Sequence, residues 1–171
     1  MNLVEPGYVR TMAAYNASMN NRLYDAAARI SDDERRADRG AFFKSLLGTL
    51  NHLLWADHVW MARFDGWERP TVLQKDSGSL FADFDALRDA REEADRRIND
   101  WASRVRGDWL HGDLTWHSNT TNAPMTLPAG YAVMHFFNHQ THHRGQAHAL
   151  LTAAGEDTHG TDLLGMVPPM P

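Results

Sequence analysis

One segment of this 171-residue chain limits its architecture more than any other. From about Ala41 to Phe64, the residues Phe42, Phe43, Leu46, Leu47, Leu50, Leu53, Leu54 and Trp55 cover nearly the whole circumference of a helix. A helix apolar on most sides belongs in the middle of a bundle. One arc departs from this pattern. Ser45, Gly48, Thr49, His52 and Ala56 project in similar directions at about 100° per residue. They are small or polar and leave room around His52.

Three more segments carry helical periodicity. In the first, Tyr8, Met12, Tyr15, Met19, Leu23, Ala26 and Ile30 recur at steps of three and four, and Arg10, Asn16 and Asn20 fill the remaining arc as polar surface. The third helix spans about Leu80 to Val105. Phe81, Phe84, Leu87, Ala94, Ile98, Trp101 and Val105 form its buried face, while Arg88, Asp89, Glu92, Asp95 and Arg96 read as a solvated one. The fourth spans about Pro128 to Ala154, with Pro128 suited to a first turn and Gly155 to the left-handed position past the end. The predicted fold is all-α, a four-helix bundle forming a single domain over residues 1–171, a length that buries a real core.

Two connections are long. Residues 65–79 hold Gly66, Pro70, Ser77, Gly78 and Ser79. Residues 107–127 alternate Leu114, Trp116 and Met125 around Asn119, Asn122 and Pro124, which suggests a short β-hairpin. Long connections let successive helices run parallel and tend to shape a binding mouth.

Composition removes several kinds of chemistry. Cysteine is absent, so no disulfide, thiolate metal site or cysteine nucleophile exists. With 17 basic and 22 acidic residues the formal charge is -5, without the basic footprint that nucleic acid requires. No apolar run reaches the roughly 18 residues needed to span a bilayer, and the first ten residues lack a signal-peptide core. A cytoplasmic protein with no membrane and no nucleic-acid partner is expected.

Ten histidines in a cysteine-free chain make imidazole the natural metal ligand. Residues 135–146 hold His135, His139, His142 and His143 within the fourth helix. Positions four apart lie one above the other, about 6 Å along the axis. His139 and His143 therefore suit one ion, a familiar chelating spacing. His52, in its small-residue arc, is the natural third donor for a site with an open coordination position. Spacing leaves His135/His139 equivalent to His139/His143. His142 is only moderately displaced, His148 points away to the surface, and His58 lies about 120° from His52 around its helix. A zinc peptidase would carry glutamate directly after the first histidine. Here that residue is Gln140, which has no titrating carboxylate and is expected to bond outward.

Three stretches resemble the DinB/YfiT-like family of metal-dependent bundle proteins. They are Tyr15-Asn16 through Asn20-Asn21-Arg22-Leu23-Tyr24, then Gly48-Thr49-Leu50-Asn51-His52-Leu53-Leu54-Trp55-Ala56-Asp57, then Asn138-His139-Gln140-Thr141-His142-His143-Arg144-Gly145-Gln146. The tail Asp162-Leu163-Leu164 fits as well. The resemblance implies a four-helix bundle of up-down-down-up connectivity, often a homodimer. It also implies three histidine ligands, by position His52, His139 and His143, with His135 left as a pocket or packing residue. Characterised relatives use low-molecular-weight thiols in transferase or isomerase chemistry.

The expected function is that of a metal-dependent enzyme, in which a divalent ion on three neutral imidazoles activates a thiol or water toward a small-molecule substrate. Zinc is the first expectation and nickel the second, since imidazole suits both. With no cysteine in the chain, any thiol comes from outside. No carboxylate is clearly placed as a general base, which favours thiol transfer over hydrolysis. The competing expectations are a non-catalytic metal or small-molecule binding protein, a metal-dependent hydrolase, and a structural site stapling the second and fourth helices.

Overall fold

The fold is described from a computed structural model over residues 3–118 and 122–165. Four long helices supply its core: α1 (Pro6–Arg29), α3 (Leu46–Phe64), α4 (Phe84–Arg104) and α6 (Ala129–Ala153). Between them lie two short helices, α2 (Asp32–Arg36) and α5 (Gly107–Leu110), and the strands β1 (Asp113–Ser118) and β2 (Ala123–Pro128). Helix α1 packs on α4 and α6, and α3 packs on α6 and α4. The strands form the expected antiparallel hairpin, with Trp116 opposite Met125 and Leu114 opposite Leu127. The predicted all-α class thus holds for the helices and gains this one small sheet. Asn119 falls outside the described residues. No described helix is long and apolar enough to cross a membrane.

Helix α3 has the central place its sequence demands. Leu50 and Leu54 are fully buried, as are Phe136 and Phe137 across from it on α6. Burying each such side chain contributes roughly 1.5–3 kcal/mol. The start of α3 differs from expectation. It begins at Leu46 and not near Ala41, because Lys44 takes a left-handed φ of 66° and the Ser45 hydroxyl accepts the Gly48 amide at 3.1 Å as N-cap. Phe42 therefore stands 81% exposed, and Phe43 folds back toward His52. Gly48 permits this turn, since a Cβ there would collide with the Phe43 carbonyl oxygen.

Helix α4 likewise starts later than expected. Asp83 caps it by accepting the Ala86 amide at 2.8 Å. Phe81 lies before the helix, where its backbone exchanges hydrogen bonds of 2.7 and 3.1 Å with the buried side-chain amide of Asn51. That clamp holds the connection between α3 and α4 against α3. At the other end of the chain α6 behaves as its sequence suggests. Pro128 precedes its first turn, and Gly155 follows it at φ 88°.

The polar arcs of α1 and α4 were expected at the surface, and several of their residues are buried. Asn16, Asn20, Asp95 and Arg91 are each at most 6% exposed, whereas Tyr8 is 39% exposed. Arg91 pairs with Asp57 at 2.6 Å and with Asp95 at 2.7 Å. Asn20 donates to both Asp95 oxygens, and Gln140 donates to Asp57 at 2.5 Å. All four long helices meet in this network. The pairing explains the burial, because a charge enters a protein interior only when its partners come with it. Burial opposes the charge on Arg91, yet Asp95 and Asp57 outweigh it and raise the guanidinium pKa. Burial raises the Asp95 pKa against the pull of Arg91.

Candidate metal centre

His52 leaves α3 from its small-residue arc and meets His139 and His143, one turn apart on α6. A ligand nitrogen from each of the three rings lies within 4.8 Å of the others. The His52 and His139 Nε2 atoms are 3.2 Å apart. Nitrogens about 2.0–2.1 Å from a tetrahedral zinc would stand roughly 3.3–3.4 Å from each other, so this edge is already near the required length.

Two of the rings are aimed by the groups behind them. The Nδ1 of His52 lies 2.9 Å from the hydroxyl of fully buried Ser77, and the Nδ1 of His143 lies 2.7 Å from Gln146 Oε1. Since an amide oxygen only accepts, His143 carries its proton on Nδ1 and presents a bare Nε2. Orienting partners of this kind raise ligand basicity and fix the tautomer. Ser77 sits in the 3₁₀ turn Gln74–Ser79 of the long connection, so that connection helps build the site.

Aromatic walls surround the group. Phe43 stacks on the His52 ring at 3.9 Å between centroids and meets His143 edge-on at 5.4 Å. Trp55 stacks on His52 at 5.9 Å, and its indole nitrogen donates to the Val72 carbonyl at 2.8 Å. This environment keeps the imidazoles uncharged. Burial, then the charge of His143, pulls His52 down to about 4. Burial, followed by His143 and His52, pulls His139 down to about 3. Burial also lowers His143. At neutral pH all three offer a lone pair, which is the form a cation binds.

The remaining histidines separate from this group. His135 packs 5.1 Å from Trp60 and 6.0 Å from His139, outside the group that His139 and His143 form with His52. His142 is exposed and lies 3.3 Å from Gln146 Nε2. His58 packs edge-on against Trp67. His148, expected on the surface, is half-buried with its Nδ1 bonded to the Thr158 hydroxyl. Gln140 turns inward to Asp57, contrary to the outward bond expected of it, because α6 buries that side.

Sequence reasoning missed Ser77, Phe43 and the role of Gln146. Gln146 was within reach, since it follows His143 by three residues on one helix face. Ser77 lies 25 residues from its partner, with no local pattern to reveal it. Outer partners of metal ligands are typically worth 10–100-fold in affinity. Ser77→Ala is accordingly expected to weaken zinc binding about tenfold in a chelator competition, with the helical circular dichroism unchanged. An unaltered affinity would reduce Ser77 to a packing residue.

These donors fit a divalent ion. No curated protein matches the chain. A solved DinB-like protein from Bacillus cereus ATCC 10987 is similar to it in fold, with a TM-score of 0.66 and 19% identity over 94% of this chain and 99% of that one. The family model described as "DinB family" matches residues 3–168. The chain belongs to the DinB family.

Proposed function

We propose that His52, His139 and His143 hold one divalent ion, zinc first and nickel second, and that the protein is a metal-dependent enzyme activating a thiol for S-transferase-like chemistry. The observation that carries this reading is a convergent set of three neutral imidazoles joined, among the described residues, by no fourth histidine or carboxylate. Such a set leaves coordination positions for an outside ligand, which is the mark of a catalytic site and not a closed structural one. A divalent ion bound there supplies a Lewis acid that makes a thiol or water acidic near neutral pH.

The chain's own contribution is orientation and exclusion of water. Ser77 and Gln146 fix two rings, and Phe43 and Trp55 shield His52. The cluster includes no carboxylate to draw a proton from water, which favours thiol transfer over hydrolysis. With no cysteine, the thiol is a co-substrate. The staple reading is weaker, because α3 and α6 already pack through Leu50, Leu54, Phe136 and Phe137. The same proposal includes up-down-down-up connectivity, supported by the long link between α3 and α4, and a homodimer.

Cobalt substitution tests the reading. Adding 2-mercaptoethanol to the cobalt-loaded protein is expected to produce a thiolate-to-cobalt charge-transfer band. With a chloronitroaromatic acceptor, the sulfur should displace chloride faster than in buffer. If neither 2-mercaptoethanol nor glutathione alters the cobalt spectrum, the thiol reading fails and a non-catalytic binding protein becomes the better description.

A further inference from the structure

Beside the metal centre, a cleft of about 520 Å³ opens between α3 and the 69–75 stretch. Trp55, Val59 and Arg63 line it from α3. With His52 they fall within one arc of about 80° at 100° per residue, so cleft and metal centre share one face of the helix. Trp55 is a common wall, because it lines the cleft and stacks on His52. His52 and Arg63 are separated by about three turns, roughly 16 Å of rise.

The charge of this cleft has a single sign. Arg63, Arg69 and Lys75 line it, and among the described residues no aspartate or glutamate does. In a chain of net charge -5 that is unexpected. Several arginines elsewhere find carboxylates, as Arg29, Arg39, Arg88, Arg91 and Arg104 do. Arg63 instead lies 4.3 Å over the Trp60 ring and 4.7 Å over the Trp116 ring, and its Nε is buried without a hydrogen-bond partner. Burial, then the like charge of Arg69, pulls its pKa down to about 10, which leaves it cationic at neutral pH. A desolvated guanidinium beside a second cation is a site that an anion relieves. Val59, Pro70, Val72 and Leu73 give the same cleft an apolar lining.

We propose that this cleft binds the carboxylate of an amphiphilic organic substrate at Arg63, Arg69 and Lys75, its apolar body along Val59 and Trp55 and its reacting end toward the three histidines. The catalytic part of this assignment rests on the metal-centre reading, while the binding part does not. The guanidinium held against two indoles is the anchor. Arg69 and Lys75, on the exposed connection, add attraction that salt screens.

Octanoate and octanamide are the probes, since they differ in charge at equal chain length. Titration by calorimetry and tryptophan fluorescence is expected to show octanoate binding about tenfold or more tightly than octanamide, with the difference shrinking in high salt. R63Q should abolish that preference. The R69Q/K75Q double variant alters only exposed side chains, so it remains informative even if R63Q folds poorly, and it should lose at least about threefold in octanoate affinity. Equal binding of the two probes, or wild-type octanoate affinity in a folded double variant, would overturn the proposal. The same titration on protein lacking all three site histidines separates the two readings. Octanoate selectivity that persists there supports the cleft independently of metal, and its disappearance there would overturn a binding role for the three cations.

Discussion

Untagged wild-type protein loaded with zinc and desalted should hold close to one ion per chain, and His52→Ala, His139→Ala and His143→Ala should each hold less than about a tenth of that. The expectation follows from the donor count. A three-ligand site reduced to two forfeits a direct bond, which outweighs the roughly 10–100-fold that an outer partner contributes. The three losses should be similar, since the ligand atoms cluster within 4.8 Å and no fourth described histidine or carboxylate stands ready to substitute. His135→Ala is the internal control. It shares the four-residue spacing with His139, but its ring packs against Trp60, so it should keep its metal. Elemental analysis by plasma mass spectrometry gives the answer, with circular dichroism to confirm folding. Full metal in all three alanine variants would remove the site and the enzymatic reading that depends on it. Loss in the His135 variant along with His139, but not His143, would move the site one turn toward the start of α6.

The place of His135 shows what the sequence can and cannot carry. Periodicity alone showed that α3 is central, because an all-round apolar helix has no other place to go, and Leu50 and Leu54 are indeed fully buried. The pitch of a helix left 135/139 and 139/143 as equal pairs, with only the family resemblance favouring the second, whereas the hairpin was legible from its alternation. Phe43 was misplaced for a local reason. The apolar pattern continues upstream of Leu46, but Ser45 caps the helix and Lys44 turns left-handed, so Phe43 becomes a wall of the site and not a face of α3. Asn16, Asn20 and Asp95 were misread because a polar residue on an amphipathic helix looks solvated until its partner is known. The partners of Asp95 are Asn20, 75 residues away, and Arg91 one turn back. The Arg91 contact is local to α4, but the Asn20 contact that buries the pair is tertiary, and no window along the chain contains it.

That network carries the largest stability effect expected here. Asp57 is 1% exposed, accepts from Arg91 at 2.6 Å and from Gln140 at 2.5 Å, and sits on α3 little more than one turn past His52. Asp57→Ala leaves Arg91 with one carboxylate in place of two and removes the acceptor of Gln140, whose Oε1 is already buried without a partner. Breaking a buried pair in this way costs about 3–5 kcal/mol, because the remaining charge stays desolvated. For a chain of this length that corresponds to a fall in Tm of roughly 6–20 °C. Asp25→Ala, which removes an exposed carboxylate paired with Arg88 at 2.6 Å, should change stability by less than about 1 kcal/mol. Urea unfolding of both variants decides the comparison, and an Asp57→Ala loss no greater than that of Asp25→Ala would mean that water reaches Arg91 freely. Asp57→Asn separates charge from hydrogen bonding. It keeps an oxygen for Gln140 and should cost less than alanine. The same contact links stability to the metal centre, since Gln140 directly follows His139. Loosening it should lower zinc affinity in Asp57→Ala even at temperatures where the variant is folded, whereas a purely structural network would leave the affinity of the folded fraction untouched.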